Sequence, residues 1–220
     1  MRHVPPAAVY GGLATRLASL FLGLFACATG IVLLLQADLG LPPWDVLHQG
    51  IAERTPLSFG AANIVVGLLV VALAWRLGAR IGFATVANAT CVGALVQLLL
   101  SVEAIPDLSS GNLGERTAFV AAGVICFGIG TAFYIGAAMG AGPRDSLMLV
   151  VAHRKGVRVG LSRAAIELSV LVAGYALGGS VGVGTLAFAI LVGPSVELAF
   201  FVLGRSPLAS PAPELLGEVS

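Results

Sequence analysis

GLPPWDVL, Gly40 to Leu47, sets a proline pair, a tryptophan and an aspartate inside a very apolar chain, and GAGPRDSL, Gly140 to Leu147, repeats its pattern one hundred residues later. Gly40 falls on Gly140, Pro43 on Pro143, Asp45 on Asp145 and Leu47 on Leu147. Outward from these stretches the register holds without a gap from about Leu17 to Leu100. Gly23 pairs with Gly123, Gly30 with Gly130, Arg54 with Arg154, Gly60 with Gly160, Leu77-Gly78 with Leu177-Gly178, Gly82 with Gly182, Thr85 with Thr185 and Gly93 with Gly193. Biased composition alone would align Leu, Ala and Val; these identities fall on residues that set backbone geometry or carry charge.

The chain has 220 residues, 58% hydrophobic and 10% charged, with mean hydropathy +0.99, which places it in a bilayer rather than among soluble domains. Net charge is +1 and no basic, aromatic-studded face recurs, so a nucleic-acid partner is excluded. Cys27, Cys91 and Cys126 sit in apolar runs without a CxxC or histidine companion and read as small buried hydrophobes, giving no support to a disulfide or metal framework. Met1 to Gly30 imitates a secretory signal, but the apolar run continues from Leu17 to Leu35, the length of a spanning helix, and reads as a retained first span.

Each half supplies three long apolar segments: Leu17 to Leu35, Phe59 to Leu77 and Gly82 to Leu100, then Ala118 to Ala138, Leu161 to Leu177 and Val183 to Leu203. The short segments Pro43 to Ala52 and Pro143 to Ala152 make about 15 Å of helix, half of a roughly 30 Å hydrocarbon core, and cannot cross alone. They are expected to re-enter the membrane or to lie at its interface. Ten of the twelve Lys and Arg residues fall on one side of this six-span arrangement and only Arg54 and Arg116 on the other. The positive-inside rule then puts both termini in the cytoplasm. Three spans per repeat is odd, so the halves lie in opposite orientations. The expected fold is an all-α integral membrane protein of six transmembrane helices in two inverted three-helix repeats, each with a short helix after its first span. Its parts are a cytoplasmic N-terminal segment (1–16), the first membrane repeat (17–101), an acidic outer loop (102–116), the second repeat (117–203) and a disordered cytoplasmic tail (204–220).

Glycine permits the sharp turn that leaves the preceding helix, and proline suits the first position of the next one. Gly40, Pro43, Gly140 and Pro143 therefore set helix-start geometry, with Asp45 and Asp145 in the first turns, where a carboxylate can accept orphan amides. A dipole contact contributes roughly 0.3–1 kcal/mol, whereas an aspartate near the bilayer centre costs about 2.5–3.5 kcal/mol. Capping alone cannot hold it there. Either the short helix stays near the interface, or the carboxylate faces a polar cavity or a cation such as Arg144. The cavity version makes the helix tips a candidate solute or ion site comprising Asp45, Asp145, Trp44 and Arg144, with Gln97, Glu197 and Glu167 as further candidates. Glu167 has a simpler account as an i to i+4 partner of Arg163. Gln97 and Glu197, repeat-equivalent, are either boundary residues or lining of a shared cavity. Asn63, Asn88, Thr85 and Thr185 suit interhelical hydrogen bonds, and His48 and His153 border the short helices.

At GLPPWDVLHQGIAERT, Gly40 to Thr55, and GAGPRDSLMLVVAHRKG, Gly140 to Gly156, the chain resembles the YczE-like group of the bacterial YczE/YyaS/YitT integral membrane proteins. The resemblance runs from about Leu13 to Leu203, and its most specific phrase is QADLGLPPWDVLHQG, Gln36 to Gly50. It implies a multi-pass protein of the bacterial cytoplasmic membrane and carries no activity, substrate or catalytic residue. The leading functional reading is a small secondary transporter or permease for an unknown small solute or ion; the other is a non-transporting accessory or scaffold protein. An aspartate dyad enzyme would need Asp45 and Asp145 to meet from opposite faces. No Ser, Cys and His constellation, HExxH or phosphate-cradling loop supports catalysis or a cofactor, so a non-enzymatic protein is expected. At 22.2 kDa the chain also suits a homodimer.

Overall fold

A computed structural model describes Val9, residues 11–206 and Leu208. The described residues form eight helices and no strand: α1 (Leu13–Ala37), α2 (Pro43–Arg54), α3 (Phe59–Arg76), α4 (Phe83–Ser101), α5 (Leu113–Gly136), α6 (Pro143–Lys155), α7 (Val159–Ala176) and α8 (Val183–Gly204). Six of them, all but α2 and α6, are long and apolar enough to cross a membrane. Their outward faces carry exposed Leu69, Leu73, Leu168, Val172, Leu186 and Ile190. Apolar surface of this extent is stable only against lipid, so the helices contact a bilayer.

Two expected boundaries are corrected. α1 starts at Leu13, within the segment assigned to 1–16, and α5 at Leu113, within the loop assigned to 102–116. For α5 the cause is a capping box: the Asn112 side chain accepts from the Glu115 amide at 2.9 Å while the Glu115 carboxylate accepts from the Asn112 amide at 3.3 Å. The charged residues that looked like connection also have helical work to do. Arg16 donates through Nε to the Ala137 carbonyl at 2.8 Å and through Nη2 to Ala138 at 2.6 Å. Arg116 makes the matching bonds to Ala37, at 2.8 Å, and Asp38. Each guanidinium thus satisfies the last carbonyls of the other long helix, at the negative end of its dipole. α2 and α6 run two and three residues past the expected ends, to Arg54 and Lys155. The expected tail, 204–220, lies mostly outside the described residues.

α1 and α5 form the centre. They cross with Gly23 against Gly130 and Gly30 against Gly123, where a methyl on Gly23 would lie 2.7 Å from the Gly130 carbonyl oxygen and one on Gly130 2.6 Å from that of Gly23. The turns after these helices dock on the starts of α8 and α4. Gly184 donates to the Leu39 carbonyl at 2.6 Å and Ala84 to Met139 at 3.1 Å. At the same turns Gly40 (φ 101°) and Gly140 (φ 131°) hold left-handed backbone against Gly182 and Gly82 respectively. α2 packs on α7, where Gly174 admits the backbone of Leu47, and α6 packs on α3, with Leu147 and Met148 against Val66, Val70 and Ala74. Each of these contacts has its counterpart one hundred residues away with the partners exchanged.

One pair departs from this reciprocity. α3 and α4 pack closely, with Gly60 against the Gly93 carbonyl and Gly93 at 2.5 Å from that of Gly60. Their counterparts α7 and α8 hardly touch, and Gly160 and Gly193 have open space around them.

Candidate functional site

The first turns of α2 and α6 point their side chains at one another. Pro43 and Pro143 occupy the first helical position, after extended Pro42 and Gly142, so their missing amides cost no helical bond. Asp45 and Asp145 follow in that turn, as expected, but neither carboxylate accepts a backbone amide. Asp45, fully buried, instead accepts from His48 Nδ1 at 3.0 Å and lies 3.8 Å from Arg144 Nη2. Asn63 Nδ2 lies 3.2 Å from the same histidine nitrogen, which can donate to Asp45 or accept from Asn63 but not both. Arg144 also stacks over the Trp44 indole, 5.2 Å from its centroid, an attraction that strengthens away from water. On the other tip, the Tyr134 hydroxyl donates to Asp145 Oδ2 at 3.0 Å.

Between the tips lies a cavity of about 360 Å³ to which all eight helices contribute lining residues. Trp44, Asn63, Asn88, Thr131, Tyr134, Arg144, Asp145, Arg163, Glu167 and Glu197 form its polar lining, and Ile31, Val92, Phe127, Phe188 and Val192 its apolar wall. Trp44 Nε1, Asp45 Oδ2 and Thr131 Oγ1 are buried with no hydrogen-bond partner. Such groups are normally satisfied. Two of the three belong to residues that line the cavity, although the atoms themselves lie behind its surface.

A model described as "Family of unknown function (DUF6198)" matches residues 14–200. The chain belongs to this family. Among its relatives, "Uncharacterized membrane protein YczE" of Bacillus subtilis is 34% identical over 86% of this chain and 91% of its own length. An "Uncharacterized protein" of Haemophilus influenzae is 33% identical over 84% and 83% respectively. "Uncharacterized protein YyaS" of Bacillus subtilis is 25% identical over 84% and 92%. The resemblance seen at Gly40 to Thr55 therefore holds along most of the chain. No solved structure matches it.

Within this DUF6198 fold, Trp44, Arg144, Asp145, Glu167 and Glu197 line the cavity, as do Pro43 and Pro143. Asp45 stands behind the wall rather than in it, reached through Arg144. Gln97 lies elsewhere: its Oε1 accepts from the Gly60 amide at 3.4 Å, at the α3–α4 crossing. Glu167 accepts from Arg163 at 2.9 Å, the i to i+4 pair read from the spacing. Tyr134 and Thr131 carried no sequence signal, because nothing in α5 announces a neighbour on α6. His48 did carry one, its i+3 spacing from Asp45.

Proposed function

We propose that the protein is a small secondary transporter built from two inverted three-helix repeats, seated in the bacterial cytoplasmic membrane with both termini in the cytoplasm. The central cavity at the tips of α2 and α6 carries this reading. A packed scaffold would fill such a space, whereas broken-helix transporters bind their solutes at helix tips between repeats. The exchanged contacts support the inverted arrangement: Arg16 on Ala137 and Arg116 on Ala37 are what a two-fold axis in the membrane plane generates. The Asp45–Arg144 contact supports short helices that reach inward from opposite faces to meet.

Charge in the cavity favours a cationic solute with an apolar body. Arg163 is paired with Glu167, and Arg144 lies near Asp45. Asp145 and Glu197 have no cationic partner within 4 Å among the described residues. Two carboxylates without a cationic partner attract positive charge, and Phe127 and Phe188 offer apolar contact. In proteoliposomes, tetraphenylphosphonium uptake above the leak of protein-free liposomes is expected for the wild type and not for Asp145→Asn, whose amide oxygen still accepts from Tyr134 and keeps the fold. Selective uptake of the isosteric anion tetraphenylborate, or unchanged uptake by Asp145→Asn, would refute the reading. A second reading, an accessory or scaffold protein, is favoured by the thin burial of α7 and α8, 11% and 17% against 39% or more for the other spans. Capture of one defined membrane partner through that helix pair, with no solute flux, would support it.

A further inference from the structure

The two glycine pairs at the repeat-equivalent crossings are in different states. Gly60 and Gly93 are seated on each other's carbonyls, and a methyl on Gly93 would lie 2.5 Å from the Gly60 oxygen. Gly160 and Gly193 meet nothing within 4 Å. The open pair is not idle surface. Arg163 and Glu167 of α7 and Gly193 and Glu197 of α8 line the cavity, so the gap between these helices borders it. Resting on the transport reading above, we propose that the α7–α8 cleft is a gate that closes by seating Gly160 against Gly193, as Gly60 seats against Gly93, while α3 and α4 part in exchange.

Two further features fit a moving α7. It is the least anchored span, with only Ser162 and Gly174 buried, and Gly174 sits on the backbone of Val46 and Leu47, a close, side-chain-free contact about which a helix can tilt. α8 is held on α5, where Ser195 Oγ donates to the Val124 carbonyl at 3.2 Å. It also carries Pro194 directly after Gly193, where the first half has Ala94. Proline removes a helical hydrogen bond and lets the helix bend at that point. The halves thus share a latch, and the open one has a bending point beside it. Inverted repeats exchange conformations by this kind of swap around a fixed site.

The test is a disulfide trap in the full chain with Cys27→Ala, Cys91→Ala and Cys126→Ala. Gly160→Cys with Gly193→Cys is oxidised in proteoliposomes with copper phenanthroline and read as an intramolecular mobility shift on a non-reducing gel. It should crosslink at least tenfold faster than Gly160→Cys with Val202→Cys, and tetraphenylphosphonium uptake should fall with the crosslink and return on reduction. Crosslinking no faster than the control overturns the gate. A fast crosslink in a protein that moves no tetraphenylphosphonium even when reduced upholds the gate and sinks the cation transport reading. Thermal unfolding gives a second arm: Gly93→Ala should lower the unfolding temperature and Gly193→Ala should not. Equal losses would mean that α7 and α8 are already packed, and would also overturn the proposal.

Discussion

Replacing Gly23 or Gly130 by alanine measures how tightly the two central helices are held. A methyl at Gly23 would lie 2.6 Å from the Tyr134 nitrogen and 2.7 Å from the Gly130 oxygen; one at Gly130 would lie 2.6 Å from the Gly23 oxygen and 2.7 Å from the Cys27 nitrogen. Ordinary contact begins at 3.4 Å, and the atoms met are backbone, so no side chain can swing aside and α1 and α5 must separate. Overpacking costs about 1–3 kcal/mol, and a clash with backbone that cannot give belongs in the upper part of that range, about 2–3 kcal/mol. Alanine returns about 1 kcal/mol as the better helix former, which leaves a net loss of about 1–2 kcal/mol. For a chain of this size each kcal/mol lowers Tm by about 2–4 °C, so each single variant should melt several degrees below the wild type when followed by tryptophan fluorescence in detergent. Both methyls occupy the same gap. Once the first has pushed the helices apart the second fits more easily, and the double variant should lose less than the sum of the singles. Gly160→Ala, with open space around it, is the control and should lose nothing. Single variants as stable as the wild type, or strictly additive losses, would refute the close crossing.

His48→Leu removes the nearest hydrogen-bond donor to a fully buried carboxylate and should cost about 1.5–3 kcal/mol, read in the same melt; no loss would mean that Arg144 alone satisfies Asp45. Arg163→Gln breaks a pair that is half exposed on the arginine side and should change stability by less than about 0.5 kcal/mol, with a larger loss indicating that the pair props the cavity lining. Arg16→Gln and Arg116→Gln each free two carbonyls at the end of the opposite long helix and should lower Tm by similar amounts; a loss confined to one of them would break the equivalence of the two halves.

Much of the fold was legible because lipid imposes simple arithmetic on a sequence. A run either reaches across about 30 Å or it does not, so the six long helices and the two short ones follow from Leu17 to Leu35 and its kin and from Pro43 to Ala52 and Pro143 to Ala152. The i to i+4 spacing of Arg163 and Glu167 likewise determines a contact on one helix. Contacts between distant segments were less legible. Arg16 and Arg116 read as connection charges, yet their guanidinium groups close helices 121 and 79 residues away in the chain. Gln97 and Glu197 stand at equivalent positions, but only Glu197 reaches the cavity, because α4 is pressed onto α3 whereas α8 is clear of α7.

That last difference shows why the rest could not be read. Gly60 and Gly93 have the same residue types and spacing as Gly160 and Gly193, and their alignment alone does not distinguish the two crossings. The chain closes one and leaves the other open. If both crossings shut together, α7 would close over the cavity and take the carboxylates of Asp145 and Glu197 away from water, a state that their desolvation opposes. If both opened, α3 and α4 would lose their glycine contact with nothing gained in exchange. The mixed arrangement avoids both costs, and by the equivalence of the halves its mirror image avoids them too. On the gate proposed above, two nearly balanced states related by exchange of partners would account for a pattern that records both glycine pairs and is silent on which one is closed.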